Sequence, residues 1–304
     1  MLFYMAPMEG LTGYIFRNAY HKYFNDIDKY FTPFISSTGL NHKELNDVLP
    51  EHNKGLNVVP QILTNKAADF LEIATRMKDF GYQTVNLNLG CPSGTVVAKK
   101  RGAGFLAYPE KLDEFLYEIF ERCPLNISIK TRIGLESPDE WVQLQEIYNK
   151  YPIEELIIHP RVQKDFYRNP VRLETFAEAF EKCNMPICYN GELHTVGSYE
   201  DFVRKFYQVD KVMLGRGIFK NPGLIGEIKG KPRIEKVYLK EFHDEILEGY
   251  REIMSGDKNT LFKMKEIWVY LGDFFEDNER QLKKIKKADS VSEYRIAVNR
   301  IFSE

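Results

Sequence analysis

The chain has 304 residues, 43% of them hydrophobic, which is enough apolar material for one large domain plus a small one and excludes intrinsic disorder. Its formal net charge of −2 excludes recognition of a polyanion by bulk charge, so any nucleic-acid surface must be a local patch. The four cysteines (Cys91, Cys123, Cys183, Cys188) make no C-x-x-C pair and no zinc spacing. Neither a metal site nor a disulfide framework is expected, in keeping with a reducing compartment.

Residues 1–10 carry no basic leader, Glu9 interrupts their apolar run, and no stretch approaches a membrane span. A full-length cytoplasmic protein without membrane partners, working as a monomer, is the expectation. Eight short apolar or β-branched runs follow in order: residues 2–5, 30–35, 57–62, 84–89, 126–131, 155–159, 186–190 and 211–215. Amphipathic helical patterns separate most of them, at 66–80, 109–122, 138–151, 173–182 and 198–207. Strand and helix in alternation predict parallel strands with helical crossovers, and eight units predict a (β/α)8 TIM barrel over residues 1–230. A doubly wound open sheet is the alternative. After Gly230-Lys231-Pro232 the pattern becomes purely helical, at 237–255, 259–278 and 292–302, which predicts a small all-helical domain over 235–304.

In a barrel the working residues come from the carboxyl ends of the strands. Those ends carry Ala6-Pro7-Met8-Glu9-Gly10, Pro60-Gln61, Asn86-Leu87-Asn88-Leu89-Gly90-Cys91-Pro92, Lys130-Thr131-Arg132, His159-Pro160-Arg161, Asn190-Gly191-Glu192 and Gly215-Arg216-Gly217. One such group is more often a turn or a satisfied core residue. Seven strand ends with convergent polar groups call for a bound polar ligand. Phosphate in such barrels commonly sits between the last two strand loops, here Asn190-Gly191 and Gly215-Arg216-Gly217. Glycine admits backbone N–H groups to phosphate oxygens and Arg216 adds a charged fork. No G-x-G-x-x-G follows the first strand and no P-loop occurs. Cys91, between Gly90 and Pro92, is the candidate reactive group, as acid or as nucleophile.

Ala6-Pro7-Met8, the N-x-N-x-G-C-P-S string of residues 86–93, Lys99-Lys100-Arg101-Gly102-Ala103-Gly104, Lys130-Thr131-Arg132-Ile133-Gly134, Asn190-Gly191 and Gly215-Arg216-Gly217 together resemble the dihydrouridine synthases. The resemblance spans nearly the whole chain. Residues 264–271 resemble that family's C-terminal helical RNA-binding domain, and Met8-Glu9-Gly10 with Asn190-Gly191-Glu192 resemble its bacterial C-type branch. The resemblance implies an FMN enzyme that reduces uridines of RNA, tRNA foremost, with NADPH or NADH as reductant. Pro7, Met8, Gln61, Lys130 and His159 would line the flavin ring, and Asn190, Gly191, Gly215 and Arg216 would hold its phosphate. Asn88, Arg132 and Arg161 would bind the uracil. Cys91 would be the general acid, protonating C5 after hydride reaches C6. The target base must be flipped out to reach a barrel mouth. Arg280, Lys283, Lys284, Lys286 and Lys287 form a basic cluster in the tail, readable as an RNA surface or as a solvated helix face. The sequence departs from the family pattern at Pro160, over 162–170 and at Glu192. Two other readings stay open: a dihydroorotate-dehydrogenase-like enzyme acting on a free pyrimidine, and a non-catalytic RNA-binding barrel.

Overall fold

A computed structural model describes residues 1–276 and 278–303. Asp277, within the helix expected over 259–278, and Glu304, at the end of the expected tail domain, lie outside the described residues. Nine strands form one parallel sheet: β1 (Leu2–Met5), β2 (Lys29–Phe31), β3 (Val58–Val59), β4 (Gln61–Ile62), β5 (Thr84–Leu89), β6 (Asn126–Arg132), β7 (Leu156–His159), β8 (Ile187–Tyr189) and β9 (Lys211–Leu214).

The sheet closes. The first strand pairs with the last, Leu2 opposite Lys211 through Met5 opposite Leu214. The two ends of the strand order are β3 and β4, which are one run of chain divided only at Pro60. The expected eight staves are therefore present, and the open-sheet alternative is excluded. Proline has no N–H to give the ladder, so one stave reads as two strands, while the Pro60 carbonyl still accepts from Asn86 N–H at 2.8 Å. The run expected over 30–35 stops at Phe31, because Pro33 turns the chain; Ile35 returns for a single bridge to Ile62.

The crossover helices form where the apolar stripe has helical period. In Pro109–Arg122, Leu112, Phe115, Leu116 and Ile119 are buried, and proline opens the first turn. Inside the barrel Tyr4, Ala6, Phe31, Val59, Ile157, Cys188 and Met213 pack as a small cluster of their own. Trp141 is buried on the helix that follows β6, and its indole N–H donates to Gln145 Oε1 at 2.9 Å.

The tail holds four helices where three were expected: Lys236–Ile253, Gly256–Leu271, Glu279–Lys287 and Val291–Ser303. The second ends at Leu271, not 278, and a separate helix carries the basic cluster. Its core contains an ordered polar chain. Trp268 Nε1–H donates to the Tyr294 hydroxyl at 2.6 Å, which lies 2.7 Å from His243 Nε2, and His243 Nδ1 lies 2.9 Å from Asp244. Indole can only donate, so the hydroxyl proton goes to His243 and the imidazole proton to Asp244.

Barrel and tail share one apolar core. Phe242 lies 5.7 Å from Phe16, 5.1 Å from Phe24 and 6.2 Å from Tyr20, ring to ring. The boundary expected between 230 and 235 therefore divides the chain by pattern, while its burial is continuous.

Candidate active site

The carboxyl ends of the strands open into a cavity of about 270 Å³. A directed amide network shapes its floor. Asn88 donates to Gln61 Oε1 at 2.7 Å, Gln61 donates to Asn86 Oδ1 at 2.8 Å, and Asn86 donates to Ser128 Oγ at 2.9 Å. All four side chains are buried. Period two along β5 turns Asn86 and Asn88 inward, while Val85, Leu87 and Leu89 face the helices. The network ends at the Asn88 oxygen, which accepts from Gly90 N–H at 3.0 Å and Cys91 N–H at 2.9 Å. Asn88 thus sets the turn that presents Cys91.

Gly102 completes that turn. It has φ +55°, and a Cβ there would stand 2.9 Å from the Cys91 carbonyl oxygen and 3.0 Å from Cys91 Cβ. Only glycine lets this second segment fold back on the first. Burial pushes the Cys91 thiol up from its ordinary range, against smaller opposing pulls from the Ser93 N–H, Lys130 and Arg132. A thiol so placed keeps its proton at neutral pH, which suits an acid better than a thiolate nucleophile.

Lys130 lines the cavity beside it. Among the described residues no ion pair or side-chain hydrogen bond engages its ammonium, and burial, then Arg132, pull it down to about 8. His159 lies on the same wall. Burial, then Arg132, Lys130, Arg161 and Arg216, hold it well below the ordinary imidazole value, so it is neutral. Its Nε2 is 3.1 Å from Arg161 Nη1. Arginine cannot accept, so Nε2 accepts and the proton resides on Nδ1.

Just past β8, the Asn190 side chain donates to the Met213 carbonyl at 2.8 Å, tying β8 to β9. A Cβ on Gly215 would press at 3.4 Å on both Ala6 Cβ and Met8 Sδ. Arg216 Nη2 lies 3.2 Å from Glu192 Oε1, and its guanidinium packs 4.4 Å from the Tyr167 ring centre. Gly191 is glycine for a reason other than phosphate: its Cβ would collide with the Tyr189 hydroxyl at 2.0 Å.

Eleven of the expected residues line this one cavity: Pro7, Met8, Gln61, Asn88, Cys91, Lys130, His159, Asn190, Gly191, Gly215 and Arg216. Arg132 and Arg161 do not. Arg132 is fully buried and donates to the carbonyls of Gly90, Val162 and Phe166 at 3.1, 2.8 and 2.8 Å. Arg161 donates to the Asn169 carbonyl and to His159, and pairs with Glu192 at 2.8 Å. In this arrangement their N–H groups engage the loops behind the wall.

The profile of the dihydrouridine synthase family (Dus) matches residues 4–300. The chain belongs to the dihydrouridine synthase family. Its relatives include the tRNA-dihydrouridine(16) synthase of Vibrio parahaemolyticus, 26% identical over 95% of this chain and 94% of that one. The enzyme of the same name from Pseudomonas putida is 30% identical over 72% of this chain and 71% of its own. A probable tRNA-dihydrouridine synthase of Staphylococcus epidermidis is 29% identical over 88% and 84%. Among solved structures, morphinone reductase superposes with a TM-score of 0.53 at 14% identity, over 77% of this chain and 87% of that one, a likeness of fold. The family match does not favour the free-pyrimidine alternative.

For a dihydrouridine synthase, the strand-end motifs account for most of this wall, and loops supply what they miss. Tyr167, eight residues past His159, lies 5.9 Å from its ring, centre to centre. Glu9, Phe34 and His194 also face the cavity, and Tyr270 reaches it from the tail. The adjacent aromatics Phe166-Tyr167 in a polar loop were a legible signal; nothing local marks Tyr270. Among the described residues, no cluster of metal-ligating side chains occurs and no helix is long and apolar enough to cross a membrane.

Proposed function

We propose that this chain reduces particular uridines of RNA, tRNA foremost, to 5,6-dihydrouridine, with FMN as cofactor and NADPH or NADH as reductant, as a cytoplasmic monomer. The observation that carries the reading is Lys130: a cation without a counter-ion among the described residues, set in a cavity that Arg216 and Gly215 also line. Such a donor set fits a planar group with an anionic edge and a phosphate.

Pro7, Met8, Gln61, Lys130 and His159 would line the flavin ring, and Asn190, Gly191, Gly215 and Arg216 its phosphate side. Bound there, the flavin would supply the hydride that adds to C6 of uracil. The chain's own residues do the rest. Cys91 keeps its proton ready for C5, where enolate-like charge must be quenched. Asn88 orients the Cys91 turn and stands where it can face the base. Neutral His159 offers an Nδ1–H donor. Arg132 and Arg161 fix the loops that carry these groups. Five tail cations, Arg280, Lys283, Lys284, Lys286 and Lys287, have no ion pair among the described residues and would meet phosphates. Position 16, named for two relatives, is the first uridine to examine.

Mapping dihydrouridine in tRNA and rRNA from cells with and without the gene tests this reading. One or more tRNA positions should revert to uridine in its absence. Identical dihydrouridine content in both samples would refute it.

A further inference from the structure

We propose that Lys263, on a tail helix, is a positioning residue for the cofactor site: it holds the residue 8–12 loop against the cavity through the Gly10 carbonyl. The proposal rests on the flavin reading above. Met8, Glu9 and Leu11 of that loop face the cavity, whereas Gly10 between them faces the tail. Gly10 has φ +81°, and a Cβ there would lie 3.2 Å from Glu266 Oε2 and 3.5 Å from Lys263 Nζ. The tail helix Gly256–Leu271 therefore lies directly on the back of the loop.

The loop ties its own ends. Met8 N–H donates to Thr12 Oγ1 at 2.8 Å, and Leu11 and Thr12 N–H both donate to the Met8 carbonyl at 3.0 Å. Among the described residues its tip has no such internal tie; from outside, the Glu9 side chain pairs with Lys43. Among the described residues the one donor to the Gly10 carbonyl is Lys263 Nζ, at 3.2 Å. Glu266 Oε2, 3.1 Å from that ammonium, fixes its direction. The Lys263 side chain is only 15% exposed, so the contact is sheltered from water.

Spacing explains why one helix can do this. Lys263, Glu266 and Tyr270 stand at i, i+3 and i+7, one face of an α-helix. All three point at the barrel: Lys263 and Glu266 to the loop after β1, Tyr270 to the cavity, its ring centre 6.0 Å from that of Phe219 after β9. Just beyond the helix, Lys220 and Asp273 pair at 2.7 Å. The tail thus braces the cavity on both sides of the strand seam where the barrel begins and ends. It is a wall of the cofactor site as well as a surface for RNA.

The test uses the full chain, stripped of flavin, with FMN as the probe. Wild type, Lys263→Met and Lys263→Arg are titrated by quenching of flavin fluorescence. Amide exchange at Leu11 and Thr12 is followed in each apoprotein. Lys263→Met keeps the aliphatic stem and removes the donor. It should weaken FMN affinity about tenfold, the scale of one lost hydrogen bond, and speed exchange at Leu11 and Thr12 while the strand amides keep wild-type protection. Lys263→Arg should restore both. Lys263→Ala gives the same comparison if the thioether does not fit. Unchanged affinity, or a loss accompanied by faster exchange throughout the barrel, would overturn the proposal. A wild-type protein that takes up no FMN would instead sink the flavin reading.

Discussion

The two ends of the barrel lumen hold the same chemistry and use it oppositely. At the amino end Glu155 is buried, accepts from the Tyr4 hydroxyl at 2.9 Å, and faces Lys29 at 3.5 Å and Lys211 at 3.7 Å. Lys29 also lies over the Tyr4 ring, 4.8 Å from its centre. Each group there answers another. At the carboxyl end Lys130 has no counter-ion among the described residues, His159 is held neutral by burial and then by four surrounding cations, and Arg216 shares Glu192 with Arg161. Keeping an unanswered charge out of water is costly. The lesson is that polar residues inside a barrel do not mark a site by themselves. An unbalanced set does, because an anionic ligand would complete it.

Breaking the mouth chemically should have the largest effect. Cys91→Ala should leave flavin reduction by NADPH near the wild-type rate and slow transfer to uridine about 100- to 10,000-fold, the usual loss for a positioned acid. Stopped-flow re-oxidation of the flavin by RNA reads this directly. Re-oxidation as fast as wild type would remove Cys91 from the mechanism.

Breaking the amino-end cluster should damage only stability. Glu155→Gln removes the buried carboxylate that Lys29 and Lys211 share, leaving Lys211 only the exposed Asp210, and should cost about 3 kcal/mol in urea unfolding. FMN affinity of the folded variant should equal wild type. A tenfold weaker affinity would mean that the two ends are not independent.

The smallest effect sharpens the comparison through pH. Burial, then Arg132, depress Lys130 to about 8, so its charge is present below that pH and lost above it. FMN affinity should therefore fall as pH rises through 8, by about tenfold for one lost charge-assisted contact. The same profile in Lys130→Met should be flat. Apoprotein stability should move the other way. A depressed folded-state value means that the unfolded chain holds the extra proton between 8 and the ordinary 10.5, so this group adds stability as pH rises across that window. A falling thermal midpoint contribution there, wild type against Lys130→Met, would contradict the assignment.

How much of this was legible depended on range. Strand ends are local, so β-branched runs and the polar residues after them located the wall from Met8 to Arg216. Direction was not legible: Arg132 and Arg161 sit at strand ends like Lys130, yet five N–H donors let a guanidinium satisfy loop carbonyls that an ammonium would leave. The stave over 57–62 was read as one run despite Pro60, which divides its ladder into β3 and β4. The tail's third helix, Glu279–Lys287, fell between the expected helices at 259–278 and 292–302, because charge masks its short apolar stripe of Leu282 and Ile285. Tyr167 had a local mark in the Phe166-Tyr167 pair, whereas Tyr270 reaches the cavity from a distant helix, a placement that only the packed chain determines.

The chain carries two tryptophans, and the fold has put one in each part. Trp141 is sealed behind β6 with Gln145, and Trp268 is sealed in the tail against the Tyr294 hydroxyl. Each indole is therefore an optical reporter with its own neighbourhood. Trp141→Phe would leave emission from the tail alone, and Trp268→Phe emission from the barrel alone. Because Phe242 locks the two parts into one core, both signals should vanish in a single transition, and the dye-free protein would itself report that they unfold together.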